Sequence, residues 1–353
     1  MISAVILAAG LASRMGMCKP LLPLGGRPMI RVTAERLLEG GADAVIVVTG
    51  NRSKAVQDVL QGLPVHFVHN EAYAETEMFA SVCMGLRAAE ESDSILITPA
   101  DVPMFSPKLV GCLLEKMRNE GAQAVWPRVH GKNGHPLLLR ADAVAAVLQY
   151  RGENGLKGAL SQLHTAWCDT QDEGCLLDVD TVQEYGKIVA YRQNCPPTEA
   201  EIRMLHDRFG STPQIKAHCK AVENKCMELM RRMPDDRLDR TLLSAAARLH
   251  DAARTRPHHA AVLAQALLEM GYGKMAEIVS THMQLLPAQI RTLSEATVLY
   301  LADKLVQDTV PVTLEERFSN AARKYAGNAA ACKAAAARYQ AAKSILDKID
   351  EVS

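Results

Sequence analysis

Residues 5–19 read "VILAAGLASRMGMCK", an apolar run that stops at Ala8-Ala9-Gly10 and passes into glycines, a serine, an arginine and a lysine. The run reads as the first strand of an α/β domain, and the segment after it as a backbone-exposing turn. In an open parallel sheet the ligand crevice lies beyond the carboxyl ends of the strands. Gly10, Ser13, Arg14 and Gly16 come directly after that strand. Glycines let the main chain approach a phosphate, backbone N–H groups donate to it, and Arg14 with Lys19 supply charge for a triphosphate. The spacing is neither G-x-G-x-x-G nor that of the P-loop lysine.

Outward from this stretch the pattern repeats. Up to about residue 190, "AVIL", "DAVIVVTG", "PVHFVHN", "DSILITPAD" and "AQAVWP" are separated by helix-like segments, the signature of βαβ units and a mostly parallel, Rossmann-like sheet. From about residue 198 the strand-like runs stop. Helical segments such as "AHCKAVENKCMELMRRM" and "RTLLSAAARLHDAA" take their place, and "NCPPTEAE" between the halves reads as a linker and a helix start. The expected organisation is an α/β domain over 1–194, an all-α domain over 198–310 and an alanine-rich helical extension over 311–353. A chain of 353 residues is long enough for two cores.

Forty basic and forty acidic residues balance, so no global field draws the chain to nucleic acid or to an anionic membrane, and phosphate affinity has to be local. No apolar stretch approaches the ~20 residues that span a bilayer, and the N-terminus opens on a strand instead of a signal-type segment. The nine cysteines are scattered without a C-x-x-C pair, which speaks against a disulfide framework or a zinc ribbon. A cytoplasmic protein with reduced thiols is expected, with neither nucleic acid nor membrane as partner.

Two carboxylates stand at further strand ends. "ITPADVPM" puts Asp101 in a turn between Pro99 and Pro103, where it can hold Mg²⁺ through substrate phosphates or serve an Asx-type turn or cap. "LLDVDTVQEY" offers Asp180, either a second metal carboxylate or, with Thr181, an N-cap. Taken in order, L-A-A-G-x-x-S-R-M-G-x-x-K-x-L, P-A-D-x-P, G-H-P and D-x-D-T-x-x-E-Y resemble the nucleotidyltransferases that activate the molybdenum cofactor, over about residues 1–190. Ala-Ala-Gly at strand one and Gly134-His135-Pro136 resemble the cytidylyltransferases of that family. The resemblance implies attack of the pterin phosphate on the α-phosphate of CTP with release of pyrophosphate. Ala8, Ala9, Gly10 and Ser13 would hold the nucleotide, Arg14 and Lys19 its phosphates, and Asp101 with Asp180 the Mg²⁺. Gly134, His135 and Pro136 would face the molybdopterin-type substrate, and a molybdoenzyme or maturation protein is the macromolecular partner this implies. Where such enzymes carry a Gly-Met-Ser/Thr-x-Ser run, this chain has "ETEMFASV" at 75–82. Ser81 is retained as a nucleotide contact, while Glu77 brings charge and Phe79 bulk beside the substrate pocket. "YRGENGLKGAL", 150–160, is a loop or a contact to an anionic acceptor.

Six histidines lie in the helical half: His206, His218, His250, His258, His259 and His282. A lone helical histidine is ordinarily a surface or satisfied core residue. His250-Asp251 is different, because it ends the apolar segment "LLSAAARLHDAA", where an unpaired buried charge is costly and metal coordination resolves the cost. The pattern H…HD…H…H…D resembles the HD-domain metal-dependent phosphohydrolases over roughly residues 200–310. The resemblance implies His218, His250, Asp251 and Asp303 as the basic ligand set. His259 and His282 match the subset that holds a second metal, with Asp251 bridging and taking part in catalysis. His259 is preferred to His258 because it directly precedes the small Ala260. Imidazole and carboxylate ligation suits one or two ions of Fe, Mn, Co, Ni or Zn. Lys304 neutralises substrate phosphate or is solvated, since neighbouring helical residues point about 100° apart. The expected function is bifunctional: CTP-dependent nucleotidyl transfer to molybdenum cofactor, and phosphoester hydrolysis. The alternative is an NTP-dependent transferase for a sugar or alcohol phosphate, joined to a regulatory nucleotide- or metal-binding module.

Overall fold

The computed structural model describes residues 1–10, 18–233, 238–324 and 327–352. The chain divides into two compact units, Met1–Arg192 and Gln193–Ser353. In the first, eight strands form one sheet: β1 (Ile2–Ala8), β2 (Ala44–Thr49), β3 (Val65–His69), β4 (Ser94–Pro99), β5 (Ala124–Val129), β6 (Lys132–Asn133), β7 (Leu137–Arg140) and β8 (Thr165–Asp169). Their order is β8-β5-β7-β4-β1-β2-β3, with β6 paired to β5. β3, β2, β1 and β4 run parallel, as do β5 and β8, and β7 is antiparallel to β4 and β5.

β1 has a parallel neighbour on each side, with Val5 opposite Ile46 and Ile97. Both of its faces are covered, which is why it reads as an unbroken apolar run. Ala4, Ile6 and Ala8 face one core and Val5 and Ala9 the other, the period-two alternation of a pleated strand. The helices are α1 (Met29–Glu39), α2 (Ser53–Val59), α3 (Met78–Ala88), α4 (Pro107–Glu120), α5 (Ala141–Gln149), α6 (Gly155–Leu160) and α7 (Val182–Asn194). α1, α2 and α4 pack on the first core, α3, α5 and α6 on the second. The five runs read as strands are strands in this mostly parallel sheet. β6, β7 and β8 come in addition. β7 is a leucine run without β-branched residues, so its strand character comes from pairing, and α6 lies inside the stretch expected to be a loop or an acceptor contact.

The second unit is helical: α8 (Glu199–Arg208), α9 (Pro213–Arg232), α10 (Arg240–Leu249), α11 (His259–Glu269), α12 (Gly273–Ser280), α13 (Glu295–Lys304), α14 (Leu314–Lys324) and α15 (Ala329–Val352). At "PPTEAE" the Thr198 backbone N–H donates to Glu201 Oε2 at 2.9 Å, and Thr198 Oγ1 accepts from the Glu201 N–H at 3.4 Å. This reciprocal capping box starts α8. The alanine-rich α15 joins the common core through Ala342, Ile345 and Ile349.

α3 approaches the sheet closely because Gly85 has no side chain: a Cβ there would lie 2.4 Å from Val5 Cγ1 and 3.1 Å from Val48 Cγ2. Gly85→Ala is expected to destabilise the first unit by about 1–3 kcal/mol through overpacking. Urea unfolding followed by tryptophan fluorescence reads this unit alone, since Trp126 and Trp167 both belong to it. An unchanged midpoint would refute the close contact.

Candidate functional site

Two adjoining cavities open at the carboxyl ends of β1 and β4. The first, about 430 Å³, is lined by Ala8, Ala9, Gly10, Lys19, Ser81, Asp101 and Asp180. Ser13 and Arg14, expected to complete this cradle, lie outside the described residues. Lys19, in a short 3₁₀ turn, donates to Asp180 Oδ1 at 2.6 Å and stands 3.5 Å from Asp101 Oδ2. Ser81, buried in α3, accepts from Asn70 Nδ2 at 3.1 Å. Burial pushes the Asp101 carboxyl up from its usual range and the Lys19 ammonium works against that shift. Asp178 also faces Asp101 electrostatically, a carboxylate that sequence reasoning missed although the same D-x-D carries it. The oxygen-only donors of Asp101 and Asp180 fit Mg²⁺.

The second cavity, about 600 Å³, shares Asp101, Asp180, Glu77 and Met78 with the first and adds Phe79, Trp126, Gly134, His135, Lys157 and Asp178. The two carboxylates therefore stand at the junction of the cavities. Gly134 is required by the approach of Cys175, whose Sγ would lie 2.4 Å and whose carbonyl oxygen 2.8 Å from an added Cβ. The His135 backbone N–H donates to the Cys175 carbonyl at 2.8 Å, and Pro136 comes next through a cis peptide. Burial holds the His135 imidazole neutral, its pKa pulled down to about 4, with a backbone hydrogen bond to Ile97 acting the other way.

In the second unit five helix ends or faces converge. α9 supplies His218, the end of α10 His250 and then Asp251, the first turn of α11 His259, the end of α12 His282, and the last turn of α13 Asp303. His218, His250 and Asp303 form one group able to hold an ion, and Asp251, His259 and His282 another. Asp251 joins them: its Oδ1 lies 3.2 Å from His259 Nε2 and 3.4 Å from His282 Nε2, and its Oδ2 3.7 Å from both His218 Nε2 and His250 Nε2. Asp303 Oδ1 is 3.2 Å from His218 Nε2 and 3.7 Å from His250 Nε2. His206 sits apart, bonded to Ser211 Oγ and to the Arg248 carbonyl.

The main chain orients these rings. Nδ1 of His250 lies 2.7 Å from the Ala247 carbonyl, Nδ1 of His282 2.7 Å from that of Val279, and Nδ1 of His218 2.6 Å from that of Asp308. An Nδ1–H donating to a carbonyl leaves Nε2 to carry a lone pair, the form a metal binds, or, in the protonated ring, a second N–H that donates to Asp251 or Asp303. His250 Nε2 is buried with no hydrogen-bond partner among the described residues, and His259 Nε2 and His282 Nε2 face one another at 3.4 Å. Four imidazole nitrogens gathered around two carboxylates, one of the nitrogens buried without a hydrogen-bond partner among the described residues, fit a pair of divalent ions. Burial alone would raise both carboxyl groups. The Lys304 ammonium and the His218 hydrogen bond hold Asp303 well below its usual range, and a His282 hydrogen bond with the neighbouring charges does so for Asp251. Lys304 is buried, its Nζ 2.6 Å from Asp303 Oδ2. Arg254, which carries no signal in the sequence, is 2.6 Å from Asp251 Oδ2.

Because the folded pKa of His135 lies below the unfolded value near 6.5, the unfolded chain binds the extra proton between about pH 6.5 and 4. The first unit is expected to lose stability as pH falls through that window, and His135→Gln to flatten the loss. Urea midpoints at successive pH values measure both. For the cluster, titration with Co²⁺ followed by visible absorption is expected to show two equivalents with imidazole ligation, and one in His259→Ala/His282→Ala. Two equivalents in the double variant would rule out the pairing of ligands described here.

Comparison with known proteins bears on both units. The profile of the MobA-like NTP transferase domain matches residues 4–166, and that of the HD domain residues 215–308. Nicotine blue oxidoreductase from Paenarthrobacter nicotinovorans is 32% identical over 200 residues, 53% of this chain and 96% of that protein. Bifunctional protein GlmU from Coxiella burnetii is 33% identical over 145 residues, 40% of this chain and 31% of that protein. The solved structure of a nucleotidyl transferase from Methanothermobacter thermautotroptrophicus aligns with 53% of this chain and 95% of that chain, at 28% identity and a TM-score of 0.46. The chain belongs to the MobA-like NTP transferase family and carries an HD domain after its transferase domain.

Proposed function

We propose that the first unit transfers a cytidylyl group from CTP to molybdenum cofactor with release of pyrophosphate, and that the HD unit hydrolyses phosphoesters. The observation that carries this reading is that each unit gathers its own phosphate-handling constellation, Lys19 with Asp101 and Asp180 in one and the four histidines with Asp251 and Asp303 in the other. In the first unit Ala8, Ala9, Gly10 and Ser81 line the nucleotide cavity, and Gly134 and His135, with Pro136 next in the chain, stand on the acceptor side. Asp101 and Asp180, at the junction, would hold Mg²⁺ against the α-phosphate, while Lys19, released from the carboxylates, meets the departing pyrophosphate. The residues thus orient the acceptor phosphate in line with the leaving oxygen and offset the charge that develops.

In the HD unit one group of ligands, His218, His250 and Asp303, would hold one ion, and His259 with His282 the second, with Asp251 between them. Divalent ions held there supply Lewis-acid polarisation of a phosphoryl oxygen and activation of water. Lys304 and Arg254 stand ready to compensate substrate charge. A second reading replaces the acceptor by a sugar or alcohol phosphate. It is favoured by Glu77 and Phe79, which stand on the acceptor cavity in place of the small-residue run of the molybdenum cofactor enzymes.

Pyrophosphate release by the full chain, with Mg²⁺, each NTP in turn and loaded molybdenum cofactor, tests the first unit. Release with CTP alone is expected, reduced about a hundredfold or more in Asp101→Ala. No release with any NTP would reject the molybdenum acceptor, and the same panel with sugar and alcohol phosphates would then identify the second reading. Since one relative is named an oxidoreductase, consumption of a reduced nicotinamide without NTP turnover would reject transfer altogether. For the HD unit, hydrolysis of bis(p-nitrophenyl) phosphate with Mn²⁺, Fe²⁺ or Co²⁺ is expected, and its loss in His250→Ala.

A further inference from the structure

The cluster of histidines and aspartates opens onto a cavity of about 240 Å³ whose outer wall comes from the C-terminal helices. Asp251 and Asp303 form its floor, and Arg317 and Phe318 of α14 and Arg338 of α15 stand on its rim. Both arginines lie beyond residue 308, where the match to the HD domain ends. α15 is anchored there by its apolar face, with Ala342, Ile345 and Ile349 in the common core, and by the Tyr300 hydroxyl, which donates to the Arg338 carbonyl at 3.3 Å. Arg317 is oriented by donating from Nη1 to the Val306 carbonyl at 3.0 Å.

Charge decides what this cavity can take. Two of its cations are matched: Arg254 lies 2.6 Å from Asp251 and Lys304 2.6 Å from Asp303. Arg317 and Arg338 have no carboxylate partner among the described residues. The cavity therefore carries two uncompensated guanidinium groups before any divalent ion adds to them. Guanidinium is a planar fork that binds phosphate oxygens in pairs, and two forks from two different helices match a ligand with phosphate groups in series. At about 240 Å³ the space falls below the roughly 300–1,000 Å³ that encloses a drug-sized molecule. It is sized for a phosphate chain and not for a whole nucleotide.

We propose that the α14–α15 extension builds a diphosphate-binding site over the HD cluster, with Arg317 and Arg338 as its binding residues, so that the ligand of this unit is a phosphoanhydride: pyrophosphate or a nucleoside di- or triphosphate. This rests on the reading of the cluster as a phosphoester-hydrolysing centre and names the substrate class for it.

Calorimetric binding to the full chain in EDTA tests the site without metal or turnover. Pyrophosphate, CTP and CMP are compared between the wild type, Arg317→Ala/Arg338→Ala, and Arg338→Glu. The last leaves the backbone contact to Tyr300 in place and keeps the test valid if the double variant misfolds. The N-terminal cavity is identical in all three proteins, so differences report the C-terminal one. A class of sites for pyrophosphate and CTP is expected to weaken about tenfold or more in both variants, as charge-assisted hydrogen bonds are lost, with CMP unaffected. Equal weakening of pyrophosphate and CTP supports phosphate-chain recognition. Weakening of CTP alone points to recognition of the nucleoside, and equal weakening of CMP to a single phosphate; either overturns the proposal, as does unchanged binding of all three. Loss of binding in the variants, together with no hydrolysis by the metal-loaded wild type, would overturn the hydrolase reading and leave this site standing.

Discussion

A carboxylate withdrawn from water has to be compensated, and both units of this chain are arranged around that demand. In the first, Asp101, largely buried at the end of β4, is met among the described residues by the ammonium of Lys19, which comes from the segment after β1 and also holds the half-exposed Asp180. In the second, Asp251 and Asp303 are surrounded by four imidazoles, one guanidinium and one ammonium. His250, Arg254 and Lys304 are chain neighbours of the carboxylates they meet, whereas Lys19, His218, His259 and His282 come from distant segments, so the full compensation exists only when each unit is folded. It also leaves each unit with a site whose charge a phosphate or a divalent ion can rearrange.

The two scaffolds meet this demand by different means. A parallel sheet brings successive strand ends to one edge, so the stretches after β1, β4 and the close of the unit meet there. A helical unit has no common edge. There the candidate ligands sit at helix termini and on inner faces, and the rings of His250 and His282 are aimed by main-chain carbonyls one turn back in the same helix. Such carbonyls are the unsatisfied acceptors of a helix end. The last turns of α10 and α12 thereby gain partners and fix the imidazole tautomer together.

Much of both sites was legible because the residues involved are costly where they stand. Asp101 comes after a buried strand and His250-Asp251 ends an apolar helix, and such residues in such company advertise chemistry. The burial of Lys304 was not legible, because adjacency to Asp303 in sequence does not bring two helical side chains together; the packing of the last turn of α13 at the cavity does. Asp178 stands two positions before Asp180, and only the fold shows that both face Asp101. Arg254, Arg317 and Arg338 carry no signal of their own, since an arginine on an amphipathic helix is ordinarily solvated.

By itself the sequence determined the alternation of apolar runs and amphipathic segments, hence a mostly parallel sheet followed by a helical unit. It also supplied the candidate phosphate- and metal-binding side chains, because these are recognised by local periodicity and by residue chemistry. Only the tertiary structure decided that Leu137–Arg140 is an antiparallel strand within that sheet and that Lys304 is buried against Asp303. The alanine-rich tail, likewise, could be told from a free helix only once it was seen to wall the second unit's cavity. Each of these depends on which surfaces meet, and non-local packing at distances of a few ångströms is not encoded in any window of neighbouring residues.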